Sequence, residues 1–137
     1  MKTYTHSAHS TFSIYYHFVI IPKYRRPILI EKVQQNLYEL INFFCTKEPV
    51  EIVSLAIQPN HVHLLISASP TLKPSDFIGR LKQKTCKWLF RNFPDHLAHQ
   101  IESGHLWARG YFVTTDTVNS EIVKNYIQNQ IEIEDPF

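Results

Sequence analysis

Two short patterns in this sequence carry side chains able to do covalent chemistry. The first is His61-Val62-His63, inside the run Gln58-Pro59-Asn60-His61-Val62-His63-Leu64-Leu65-Ile66. If that run is a strand, alternation points both imidazoles to one face and Val62, Leu64 and Ile66 to the other. The rings then stand about 7 Å apart along the strand and can converge on one divalent metal ion. Two hydrogen-bonded histidines on a solvated sheet face fit the same pattern, because two ligands alone do not hold a metal. The second pattern is Tyr126-x-x-x-Gln130. Four residues apart on a helix, these side chains share a face and offer a phenolic nucleophile and an amide oxygen able to serve as a third ligand. A tyrosine in the stripe Ile122, Tyr126, Gln130 also reads as core. Taken separately, the first pattern is better explained by hydrogen-bonded surface histidines and the second by core packing than by catalysis.

Such groups need a sheet and a late helix to position them. Thr11 to Ile21 is aromatic and β-branched and predicts a first, central strand, closed by Pro22. Lys23-Tyr24-Arg25-Arg26-Pro27 follows as a basic loop. Glu31 to Thr46 is a predicted helix whose buried face is Val33, Leu37, Leu40, Ile41 and Phe44. Val50 to Ile57 and His61 to Ser67 form a hairpin through the Pro59-Asn60 turn. Pro74 to Arg91 is a second helix, with Phe77, Ile78, Leu81, Trp88 and Leu89 facing inward. A polar loop with His96, His99 and His105 leads to a fourth strand, Leu106 to Thr115, bulged at Gly110. Asn119-Ser120-Glu121 caps a short last helix.

The order β-α-β-β-α-β predicts an α+β fold: a split β-α-β (ferredoxin-like) antiparallel sheet with two helices on one face, plus the C-terminal helix carrying Tyr126. The other sheet face needs a cover, either that last helix or a partner. A chain of 137 residues, 44% of them hydrophobic, suits one domain spanning 1–137; the ends, 1–10 and 132–137, are expected to be mobile. Net charge is +2 and the pI is near 8.5, which allows nucleic acid as a partner without arguing for it. Cys45 and Cys86 form no metal or disulfide motif and read as reduced core thiols of a cytosolic protein. The start of the chain is polar and no apolar run approaches membrane-spanning length, so no membrane association is expected.

The motifs gain meaning in combination. His61-Val62-His63 on a strand, Trp107 and Gly110-Tyr111-Phe112-Val113 on a later one, and Tyr126-Ile127-x-x-Gln130 near the end resemble the small single-tyrosine HUH transposases of bacterial and archaeal insertion sequences. Tyr16-His17-Phe18-Val19 followed by Pro22-Lys23-Tyr24-Arg25 is similar to that family's first strand and loop. The resemblance runs from about Tyr15 to Gln130. It implies that His61, His63 and Gln130 bind Mg²⁺ or Mn²⁺, and that Tyr126 attacks a DNA phosphate to leave a 5′-phosphotyrosine and a free 3′-OH. It implies single-stranded DNA with subterminal hairpins as the partner. It also implies a homodimer, often one in which a subunit's tyrosine helix completes the other's histidine site, with cis or trans placement of Tyr126 left open, acting in the cytoplasm at the nucleoid. The chain departs from the family at Asn60, where an acidic residue often supports the first histidine, and at Thr117, where glycine is common. The first departure predicts weaker support of the site and the second a stiffer lead into the tyrosine helix.

Charge placement suggests where DNA would lie. Arg80, Lys84, Lys87 and Arg91 form one stripe of the second helix with Lys82 nearby, and Lys23, Arg25 and Arg26 cluster after the first strand. Tyr24 or Trp107 is available to stack on an unpaired base. A solvated helix face explains the helical stripe equally well. His17 reads as a structural histidine or phosphate contact that can neighbour the site. Competing functions are a replication initiator or relaxase with the same histidine pair, a domesticated hairpin-cleaving relative, and a non-catalytic single-strand-binding module. Initiators commonly place lysine where this chain has Gln130, and binding modules favour aromatics on the sheet face.

Overall fold

The computed structural model describes residues 4–100, 104–117 and 119–134, with the side chains at 99, 100, 120 and 130–134 outside the description. A small exposed hairpin, β1 (Thr5–His6) and β2 (Thr11–Phe12), precedes the central strand β3 (Tyr15–Ile20). Helix α1 (Glu31–Cys45) leads to strand β4 (Val50–Gln58), which turns into β5 (His61–Ala68). Helices α2 (Pro74–Asn92) and α3 (Pro94–Gln100), strand β6 (Phe112–Thr114) and helix α4 (Ser120–Glu134) complete the chain. The four-stranded sheet has the order β4-β5-β3-β6 with every neighbour antiparallel, the expected split β-α-β arrangement.

Alternation in β5 divides the sheet's two faces. Val62, Leu64, Ile66 and Ala68 are buried while the residues between them are only half covered. On the buried side Phe18 and Ile20 of β3 meet Leu37 and Ile41 of α1 and Phe77, Ile78 and Leu81 of α2 in the main core. These side chains are at most 2% exposed, and burying each contributes about 1.5–3 kcal/mol. On the opposite side Val19 and Ile21 meet Ala108, Val123 and Ile127 in a smaller cluster, with Phe112 and Tyr126 packed against it. Helix α4 is therefore the cover that the second face requires.

Several boundaries differ from the sequence expectation. The first strand is two pieces, and a hairpin forms within the segment read as a loose start. The polar stretch after α2 folds as α3, opened by Pro94 at its first position, where the missing N–H costs nothing. The fourth strand shrinks to three residues because Trp107 pairs separately with Pro22. There, Lys82 of α2 donates to the carbonyls of Ala108 and Gly110 at 2.7 and 2.9 Å, and the buried Thr85 hydroxyl accepts the Trp107 indole N–H at 3.0 Å. Gly110 makes a positive-φ turn outside the strand; the sheet's bulge lies in β4, between Ile52 and Ser54. Helix α4 runs to Glu134, three residues into the expected tail.

Candidate active site

Strand β5 presents His61 and His63 to the face that α4 covers. Asn60 turns the chain into β5, and its Oδ1 lies 3.0 Å from Nδ1 of His61. An N–H on Nδ1 can donate to that oxygen, which leaves the Nε2 lone pair of His61 available. Asn60 thus fills the supporting position expected to be weakened, although without the charge of an acid. Register places Val19 opposite His63 on β3, so His17 is its diagonal neighbour. Nδ1 of His17 and Nε2 of His63 are 3.3 Å apart. His17 therefore touches the site directly, and Nε2 of His63 can reach a metal only by releasing it.

Burial lowers the pKa of His61, His63 and His17 below the ordinary 6.5, and the first two are lowered further by a neighbouring imidazole, His63 acting on His61 and His17 on His63. Neutral rings, the form that donates a lone pair, are favoured. Among the described residues, no three His, Cys, Asp or Glu side chains form a group that could hold a metal. An ion held by the pair would have to take its remaining donors elsewhere, as Mg²⁺ and Mn²⁺ can from water and phosphate oxygens. Gln130 belongs to α4, but its side chain lies outside the described residues.

A cleft of about 430 Å³ opens beside the pair, walled by Asn60, His61 and His63 from the sheet and by Asn119, Val123, Lys124 and Ile127 from α4. Asn119 also caps α4, its Oδ1 accepting the Ile122 N–H at 2.9 Å. Tyr126 is not among the described residues lining this cleft. Its ring packs on Phe112 at 5.8 Å between centroids and 53° between planes, with the hydroxyl shielded from solvent. Phe112 and His63 both pair with Val19 from opposite sides, so Phe112 lies two strand spacings, about 10 Å, from the histidine strand.

The expected DNA contacts divide. Lys84, Lys87 and Arg91 are exposed on α2, and Tyr24, Arg25 and Arg26 are exposed in the loop that starts at the half-buried Lys23. Arg80 instead makes a two-point ion pair with Glu48. Trp107, only 6% exposed and tied to Thr85, has no face to offer a base; Tyr24, at 49%, does. Lys124 was not singled out by spacing, because a helical wheel does not reveal which side of α4 meets the sheet, and Asn119 was read only as a helix cap.

Comparison with known proteins places this arrangement. The family model "Transposase IS200 like" matches residues 10–130. The transposase of insertion sequence IS200 from Salmonella typhimurium is 30% identical over 125 residues, covering 91% of this chain and 82% of its own. The ISDra2 transposase TnpA from Deinococcus radiodurans is 28% identical over 120 residues, 87% of this chain and 85% of its own. A crystallised Deinococcus radiodurans chain assigned as a transposase superposes with a TM-score of 0.83 at 30% identity, covering 92% of this chain and 97% of that one. A REP-associated tyrosine transposase bound to a REP hairpin shares the fold at a TM-score of 0.54 and 15% identity, covering 91% of this chain and 67% of that one.

Proposed function

This chain belongs to the IS200-like transposase family, and from that premise we propose that it cuts and rejoins single-stranded DNA at insertion-sequence ends through a 5′-phosphotyrosine at Tyr126. The observation that carries the proposal is the half-buried, neutral histidine pair in a cleft walled by the helix that bears Tyr126.

His61 and His63, with the Gln130 amide, would hold Mg²⁺ or Mn²⁺. Bound there, the ion would polarise the scissile phosphate and stabilise the charge that develops on it. Asn60 keeps His61 in the tautomer that has Nε2 free. A free phenol has a pKa near 10, so Tyr126 would have to lose its proton to water or another base as it attacks. The Oη–P bond forms, the P–O3′ bond breaks, and the departing 3′-oxygen takes a proton from water. A second strand's 3′-OH reverses these changes, releasing the tyrosine. One phosphodiester is exchanged for another, so no ATP is consumed.

Subterminal hairpins are the proposed recognition element, in keeping with the hairpin bound by the REP-associated relative. The proposed assembly is a homodimer. Its support is that Tyr126 lies over β6 rather than in the cleft of its own histidines, so the tyrosine acting at each histidine pair would be the partner's. The test is cleavage of oligonucleotides from the ends of the protein's own locus, with Mg²⁺, Mn²⁺ or EDTA. His61→Ala and His63→Ala are expected to abolish metal-dependent cutting while DNA binding persists. Undiminished cutting by both variants would overturn the metal assignment.

A further inference from the structure

Lys124 stands in the histidine cleft without a role in the chemistry above. We infer that Lys124 holds a DNA phosphate in that cleft, whose volume admits a single nucleotide. The inference rests on the proposed DNA substrate and adds a residue and a subsite to it.

Three features converge. The cleft's volume, about 430 Å³, falls in the range of roughly 300–1,000 Å³ that small-ligand sites occupy. Its walls differ in character: Val123 and Ile127, both under 10% exposed, form an apolar side for a base or sugar. His61, His63 and Asn60 form the polar side. The charge is one-sided as well. No carboxylate is among the described lining residues, and Lys124 is the cation among them. Any metal ion added to the pair makes the cleft more positive, and an anion is the complement it lacks. A phosphodiester oxygen meets an ammonium as a charge-assisted hydrogen bond, and lysine does this as a point charge without demanding a fixed fork geometry.

Lys124 and Tyr126 divide the labour of one helix. Two residues apart, they are separated by about 200° around the axis, so one helix cannot aim both at one point. With α4 docked as it is, Lys124 lines the histidine cleft and Tyr126 packs on Phe112. Lys124 is thus a phosphate-binding residue, distinct from the nucleophile.

The experiment measures binding without cutting. Tyr126→Phe protein is titrated with fluorescein-labelled single strands from the flanks of its own locus, between about 50 and 200 mM salt. Lys124→Ala in that background is expected to weaken binding roughly three- to tenfold and to reduce the slope of log K against log salt by about 0.7. Lys124→Arg is expected to restore both. An unchanged affinity and slope in Lys124→Ala overturns the inference, and so does weaker binding with an unchanged slope, which marks a packing role. If the Tyr126→Phe parent itself does not bind these strands, the DNA-cleaving function fails, a separate result from failure of Lys124.

Discussion

The two faces of the sheet are built to different specifications. The face under α1 and α2 is sealed by Phe18, Leu37, Ile41, Phe77 and Leu81, each at most 1% exposed. The face under α4 has a cluster of five buried residues and then opens into the histidine cleft. Both faces are read from the same strands, residue by alternating residue. The closed side supplies the stability that lets the other keep half-buried imidazoles, a cation and open space, none of which stabilises a fold.

Phe77→Ala should break the closed face most severely, costing about 3–5 kcal/mol in denaturant unfolding; a loss below ~1 kcal/mol would mean the two faces are not so different. Asn60→Ala should reverse that profile. Mn²⁺ affinity without DNA is expected to fall about 10- to 100-fold, with unfolding free energy changed by no more than ~0.5 kcal/mol. Thr85→Val tests the tie between α2 and the strand side, leaving the Trp107 N–H buried without its acceptor for a loss of about 1–3 kcal/mol.

Acid should act through the open face. The folded pKa values of His17, His61 and His63 lie below 6.5. Below that pH the unfolded chain binds more protons than the folded one, so stability is complete above 6.5 and falls as pH drops. His61→Gln should make thermal unfolding less acid-sensitive; an unchanged pH profile would remove the cleft from the explanation. The smallest effect belongs to the surface. Arg80→Ala should change stability by about 0–1 kcal/mol and DNA binding less than Lys87→Ala does, since Arg80 is engaged with Glu48.

Much of this contrast was legible in the residues. Val62, Leu64 and Ile66 alternate with His61 and His63, and the strand divides its faces accordingly. The spacing of Val33, Leu37, Ile41 and Phe44 likewise marks the buried side of α1. The illegible parts are those that distant contacts decide. Trp107 reads as a stacking platform until Thr85, 22 residues earlier, is seen to bury it. Cys86, expected in the core, stays half-buried near Gly104, whereas Cys45 is buried and its thiol pushed up to about 12 by burial and Glu48. Asn60 looked like a weakness until its oxygen was placed against His61. The docking of α4, which sets Lys124 and not Tyr126 along the histidine cleft, depends on Phe112 and Val19 rather than on the helix's own pattern.

The central claim is that Tyr126 becomes covalently joined to DNA. Single strands from the ends of the protein's locus, labelled on the 3′ side of the cut, would be incubated with protein and Mn²⁺ and resolved on a denaturing protein gel. A labelled protein band that requires metal and disappears in Tyr126→Phe is the predicted result. A band that persists in Tyr126→Phe, or strands that are bound and never joined under any metal condition, would contradict the account.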